Sequence, residues 1–202
     1  RDDNAPAPGQ GDKILALRSC RRVRVRGVTF LRGGHIALTM NGCRDVVVEH
    51  VRVRTAQDRD GIDVVNSSGV TIAHADVEAS DDAIAFKSDA ALGRGSVSSG
   101  NRVLDSTLAS VKNNALKIGT ETCGDFRHLR FRDLRVTAAG AAGIGITSLD
   151  GATIEDVAAV LRSKVWITEA LRAHAAAGPQ RLVLLVGSAS TVLGLPGQVL
   201  GH

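Results

Sequence analysis

Short stretches alternating between apolar and polar residues recur along the chain: "VRVRGVTF" from Val23, "VVVEHVRV" from Val46, "VTIAHADV" from Val70, "LRFRDLRV" from Leu129 and "TIEDV" from Thr153. Alternation of period two sends every second side chain to one face of a strand. The first three leading valines stand 23 and 24 residues apart, and Phe131 and Ile154 are again 23 apart. Cys20, Cys43 and Ser67 each precede a leading valine by three positions, which ties the register to more than hydrophobicity. A second series, "HIALTM", "GIDVVN", "AIAFKS", "ALKIGT" and "GIGITS", is led by Ile36, Ile62, Ile84, Leu116 and Ile144, at intervals of 26, 22, 32 and 28 residues. The longer intervals require loops that bulge between coils.

Strands this short, repeating at this period with no amphipathic helix between them, leave no room for βαβ crossovers. They predict an all-β fold, a right-handed single-stranded parallel β-helix rising about 4.8 Å per coil. Residues 1–13 read as loop or linker and 14–160 as β-helix repeats. Because the first recognisable coil begins near Ile14, earlier coils or a capping element are expected to be missing. Residues 161–202 abandon the pattern and read as an atypical cap or degenerate tail. Within them "TEALRAHAAA" predicts a short helix with Thr168 as N-cap, ended by Gly178 and Pro179.

Composition fits such a thin core. Of 202 residues, 44% are hydrophobic but only 2% aromatic, so the interior must be stacked Val, Ile, Leu and Ala. The formal net charge of +4 permits an anionic partner without choosing one. The Arg-rich strands lack the stacking aromatics of a single-strand nucleic-acid platform, and outward strand positions explain them. The longest apolar run, "LVLLVG", is too short to span a bilayer. Neither nucleic acid nor membrane is therefore expected as a partner, and no signal peptide opens the chain. Cys20, Cys43 and Cys123 lack C-x-x-C spacing, so they predict small thiols, the first two stacked on adjacent coils, with neither a disulfide framework nor a zinc site. His35, His50, His74 and His128 show no ligand-like clustering, and no cofactor or metal is expected.

The candidate chemistry lies in "DRDGID" and "ASDDAIAFKS". Asp60 stands two residues before Ile62, Asp82 two before Ile84 and Asn114 two before Leu116, so the register predicts that all three share one strand edge, with Asp81 beside them. Crowded carboxylates raise at least one pKa, as a general acid needs, while an ionised neighbour can deprotonate water. Glycoside hydrolysis divides labour in this way, with about 6.5 to 9.5 Å between acid and base in an inverting enzyme. On the residues alone, turn capping and cation binding are open readings of the same trio.

The stretch "DRDGIDVVNSSGVTIAHADVEASDDAIAFKSD" resembles the polygalacturonase family, glycoside hydrolase family 28, whose pattern is N-T-D-G-[IV]-D followed by G-D-D-x-[IV]-[AS]-[IV]-[KG]-S. The resemblance covers roughly residues 14–160 and points to a divergent or truncated bacterial member. It implies a pectin-lyase-like solenoid, an inverting hydrolase, a polysaccharide or oligosaccharide substrate and a secreted or periplasmic location. By it Asp81 would be the general acid, with Asp60 and Asp82 activating water, and Lys87 falls in the K-S form of the motif.

The departures are specific. Asp58-Arg59 stands where the family has N-T, Ser80 replaces the Gly of G-D-D, and "NNALKIG" puts Asn114 where the family's histidine belongs. The family's cationic R-I-K clamp has no counterpart in "GIGITS", and Arg162 and Lys164 stand too far along to replace it. Asn114, Lys87 and Lys117 are the candidate substrate-binding residues. For the two lysines, ion pairs to Asp63 and Glu121 are an equal alternative. A sugar-binding β-helix without activity and a polysaccharide lyase are the competing functions.

Overall fold

The computed structural model describes residues 13–32, 34–93 and 95–161. Of the expected linker at 1–13 only Lys13 lies within them, and it opens the first strand; the expected helix at 168–177 lies outside them. The first coil holds β1 (Lys13–Arg18), β2 (Arg21–Arg26) and β3 (Thr29–Arg32), and the second holds β4 (Ile36–Asn41), β5 (Arg44–Glu49) and β6 (Arg52–Thr55). The third holds β7 (Asp60–Val65), β8 (Thr71–Ala73) and β9 (Asp76–Ala79). The fourth holds β10 (Ile84–Ser88), β11 (Ser98–Ser99), β12 (Arg102–Leu104) and β13 (Thr107–Ser110). The fifth has β14 (Leu116–Thr122) and the long β15 (Phe126–Ala138), and the sixth β16 (Ile144–Ile146) and β17 (Ile154–Leu161). No helix occurs among the described residues.

Each strand pairs in parallel with its counterpart one coil away, giving a right-handed parallel β-helix. The first sheet runs β1-β4-β7-β10-β14-β16. A second sheet stacks β2, β5, β8, β12, β15 and β17, and a third stacks β3, β6, β9, β13 and the second half of β15. The inward rows are apolar columns: Leu38, Ile62, Ile84, Leu116 and Ile144 in the first sheet, and Phe30, Val53, Val77, Leu108 and Val136 in the third. All ten are buried, each worth roughly 1.5–3 kcal/mol for the larger aliphatic or aromatic side chains. Phe86 and Phe131, from different sheets, meet inside at 5.4 Å between ring centroids.

Corners are set by the backbone. Ser19, Gly42 and Asn66 follow the strands of the first sheet with φ of 54, 67 and 50°. Gly27, His50, His74, Asp105 and Asp133 repeat the left-handed conformation between the second and third sheets. Gly and Asn or Asp take it at the least cost, and the His50 and His74 rings stack at 4.9 Å. Cys20, Cys43 and Ser67 form the expected column: Arg44 N–H donates to Cys20 O, and Cys43 N–H to Ser67 Oγ at 2.8 Å. All three cysteines are free thiols.

Two expected registers shift. Leu38, not Ile36, pairs with Ile62, and Ile36 pairs with Asp60. A two-residue slip keeps every side chain on its face, so alternation alone cannot detect it. Likewise Ile154 pairs with Phe126, while Phe131 pairs with Ala159. The correct partner is a small residue that carries little hydrophobic signal.

Candidate active site

Strand β7, DGIDVV, is buried at all six positions. Ile62 and Val64 face the core, while Asp63 lies on the outward row with Thr39, Ala85 and Lys117. Gly61 is required by the close approach of the next coil: a Cβ there would sit 2.4 Å from Ala83 O. Gly61 N–H instead donates to Asp82 O at 2.9 Å, which seats Asp82 beside Asp60.

The three register-matched residues are then joined side chain to backbone. Asp82 N–H donates to Asp60 Oδ1 at 3.0 Å, and Asn114 donates to Asp82 Oδ1 from both N–H (3.0 Å) and Nδ2 (2.8 Å). Asp81 is fixed at the turn by its N–H to Arg59 O (3.0 Å) and by Ser110 Oγ donating to its carbonyl at 2.6 Å. The Asn113 amide donates to Asp81 Oδ1. One oxygen from each of Asp60, Asp81 and Asp82 lies within 4.8 Å of the others. The trio is therefore tighter than the roughly 6.5–9.5 Å expected between an acid and a base with water between them. One coil step separates Asp60 from Asp82, and the hydrogen bonds between those coils pull the carboxylates together.

Three acids this close are of a spacing that could hold a metal ion, but cationic side chains already lie among them. Lys87 Nζ is 2.9 Å from Asp60 Oδ2 and 2.9 Å from Asp63 Oδ2, and Lys117 Nζ is 3.2 Å from Asp82 Oδ2. Of the two readings open for Lys87 and Lys117, substrate contact or ion pairing, the structure shows ion pairs within the site, and Lys87 reaches the expected Asp63. Lys117 pairs with Asp82 rather than with Glu121. The site opens into a cleft of about 520 Å³, also lined by Lys13, His35, Asp89 and Glu121.

Burial sets the electrostatics. It raises Asp60, opposed by Lys87, with Asp82 and Asp81 adding repulsion. It raises the fully buried Asp63 further, to about 7, again opposed by Lys87 and assisted by Asp60. Burial pulls Lys87 down, yet Asp63 and Asp60 together outweigh it and hold the ammonium above the ordinary lysine range. The crowding argument predicted a raised carboxyl; it falls on Asp60 and Asp63, with desolvation as its largest cause.

Residues 4–104 match Glycosyl hydrolases family 28. The chain belongs to that family. Two solved structures are similar. One is a hyperthermoactive exopolygalacturonase from Thermotoga maritima, at 21% identity and a TM-score of 0.57, covering 71% of this chain and 36% of that one. The other is the Yersinia enterocolitica family 28 exopolygalacturonase, at 19% identity and a TM-score of 0.40, covering 70% of this chain and 27% of that one. The chain thus spans about a third of the length of these structures, and at this identity the first supports the fold alone. No curated protein matches.

Two of the residues that depart from the family 28 pattern meet in space. Asp58 N–H donates to Ser80 Oγ at 3.0 Å, and Lys112 pairs with the Asp58 carboxylate. Ser80 N–H in turn donates to Thr55 Oγ1 at 2.9 Å. The substitutions form one hydrogen-bonded brace under the turn that carries Asp81 and Asp82. Sequence reasoning did not single out Asn113 or assign Asp63 a place in the site. The signal for Asp63 was its outward position on a strand whose other residues are buried.

Proposed function

We propose that the protein is a glycoside hydrolase that cleaves a polysaccharide or oligosaccharide by acid/base catalysis between carboxylates. The observation that carries this reading is the meeting of Asp60, Asp81 and Asp82 at one edge of the first sheet, within 4.8 Å and open to a cleft. Asp81, at the turn and less buried than its neighbours, would donate a proton to the leaving oxygen. Asp60 and Asp82, each neighboured by an ammonium group, would activate water. Family membership favours inversion at the anomeric carbon, the closeness of the acids argues against it, and the anomer released first, read by NMR, decides between them.

A neutral saccharide is the proposed substrate rather than a polygalacturonate. Lys87 and Lys117 are both paired with acids of the site, which leaves neither ammonium over for a uronate carboxylate. A secreted or periplasmic location accompanies the proposal. The second reading is a β-helix that binds sugar without cleaving it. It is favoured by Asn114, whose amide holds Asp82 but cannot carry a proton.

Digestion of a broad glycan panel, followed by mass spectrometry of the products, separates the readings. Reducing ends released from neutral glycans support the hydrolase; retention without release supports the binder; unsaturated products absorbing in the ultraviolet support a lyase. Asp81→Asn is expected to lower turnover by about 10²–10⁴-fold while the circular dichroism spectrum stays the same. Unchanged turnover would remove Asp81 from the mechanism.

A further inference from the structure

Lys87 touches two carboxylates of this cleft at once. It rises from β10, where its register partner is Val65, and crosses back over β7 to reach Asp60 and Asp63. Ala85, paired with Asp63, is the neighbour on the same outward row, and its small side chain leaves that diagonal open. Only 16% of the Lys87 side chain is exposed, and 1% of Asp63. Neither Asp63 oxygen has a formed hydrogen bond among the described residues, so Lys87 meets Oδ2 as an ion pair at 2.9 Å.

Asp60 is gripped at both oxygens. Asp82 N–H holds Oδ1 at 3.0 Å, and Lys87 holds Oδ2 at 2.9 Å. The second grip depends on where the ammonium rests, and Asp63 is the group behind it. A buried carboxylate with no other donor is a poor residue for stability alone, because its desolvation is incompletely repaid.

We propose that Asp63 is a positioning residue of the family 28 site: it shares the Lys87 ammonium with Asp60, and the Lys87–Asp63 pair holds Asp60 in place as an internal counter-ion rather than contacting sugar. The inference rests on the proposed acid/base role of Asp60. It adds that two carboxylates share one cation, so the charge on Asp63 governs how much of that cation Asp60 receives. When Asp63 is protonated, Lys87 belongs wholly to Asp60; when Asp63 is ionised, the cation is divided and a like charge is added nearby. The other charged or titratable groups lining the cleft around this pair are Asp81 and Asp82 from the turn before β10, Asp89 just after β10, Lys117 and Glu121 from β14, Lys13 from β1 and His35 from the segment before β4.

The test needs no turnover, so its failure is separable from failure of the hydrolase reading. In the full chain labelled with ¹³C at aspartate carboxyls, the Asp60 resonance is assigned by its loss in Asp60→Asn and titrated. Because Asp63 keeps its proton up to about pH 7, Asp63→Asn is expected to leave the Asp60 midpoint within roughly 0.3 unit and to abolish a second inflection that the wild-type Asp60 resonance shows near pH 7, where Asp63 ionises and the cation is divided. Since Lys87→Met alone strands two buried acids, the informative partner is the double variant Lys87→Met/Asp63→Asn, which removes one charge of each sign. Its Asp60 midpoint is expected about one unit or more above that of Asp63→Asn. Midpoints within roughly 0.3 unit of each other in the wild type and both variants, beyond the scatter of such titrations, would overturn the proposal. So would weakened sugar binding in the double variant, but not in Asp63→Asn, with no movement of Asp60; that result would make Lys87 a substrate contact.

Discussion

Two sheets of this β-helix carry ion-pair ladders on their outward faces, and the ladders differ in one physical respect. On the third sheet Arg52, Asp76, Arg54 and Glu78 alternate in sign across β6 and β9, with Arg52 Nε 3.3 Å and Arg54 Nη2 2.6 Å from Asp76 Oδ2. On the first sheet Asp60, Asp63, Lys87, Asp82 and Lys117 alternate across β7, the turn, β10 and β14. The Arg52 side chain is 64% exposed and Asp76 40%, whereas Lys87 is 16% exposed and Asp63 1%. In water such pairs offset little more than the entropy of holding two long side chains together. Out of water the attraction grows, and so does the cost of any charge left without a partner. The same alternation of residues is thus a solvated surface on one side of the coil and a set of poised acids on the other.

Breaking the buried ladder should have the largest effect. Lys87→Met leaves Asp60 and Asp63 without their cation and is expected to destabilise the protein by about 3–5 kcal/mol in urea unfolding at pH 7. A loss below about 1 kcal/mol would place this pair in the same class as a surface pair.

A smaller effect is expected from pH. The Asp63 pKa is raised to about 7 in the folded chain, so its contribution to stability is fully present below its ordinary value of 3.8 and is lost as pH rises through 7. Asp63→Asn lacks this dependence. Its stability relative to wild type should therefore climb by roughly 1–3 kcal/mol between about pH 4 and pH 8, measured as paired unfolding curves. A difference that stays flat, or falls, would show that the ionised Asp63 is not a burden. The smallest effect belongs to the exposed ladder. Arg52→Ala should stay within about 0.5 kcal/mol of wild type, and whatever difference remains should vanish in high salt.

Much of this site was legible before any coordinates. Asp60, Asp82 and Asn114 could be put in register because each stands two residues before a large aliphatic residue, and those residues stack. The coil architecture followed from the same repeats. What escaped was information that the period of two does not carry. The slip from Leu38 to Ile36 preserves facing, and Ala159 opposite Phe131 is too small to mark a register. The destination of Lys87 was also hidden, since alternation fixes the face from which a lysine leaves but not the strand over which it bends. The 4.8 Å closeness of the acids depends on Gly61, whose lack of a side chain matters only once the carbonyl of Ala83 is known to lie against it.

The placement of the acids along the stack has a further consequence. Among the described strands of the first sheet, β7 and β10 are third and fourth of six, so each has two strands on one side and three on the other. In a solenoid a coil feels chiefly the coils it touches, and opening proceeds inward from the extremities. The carboxylates thus sit on coils that are stacked on both faces, so the neighbouring turns clamp their geometry from above and below.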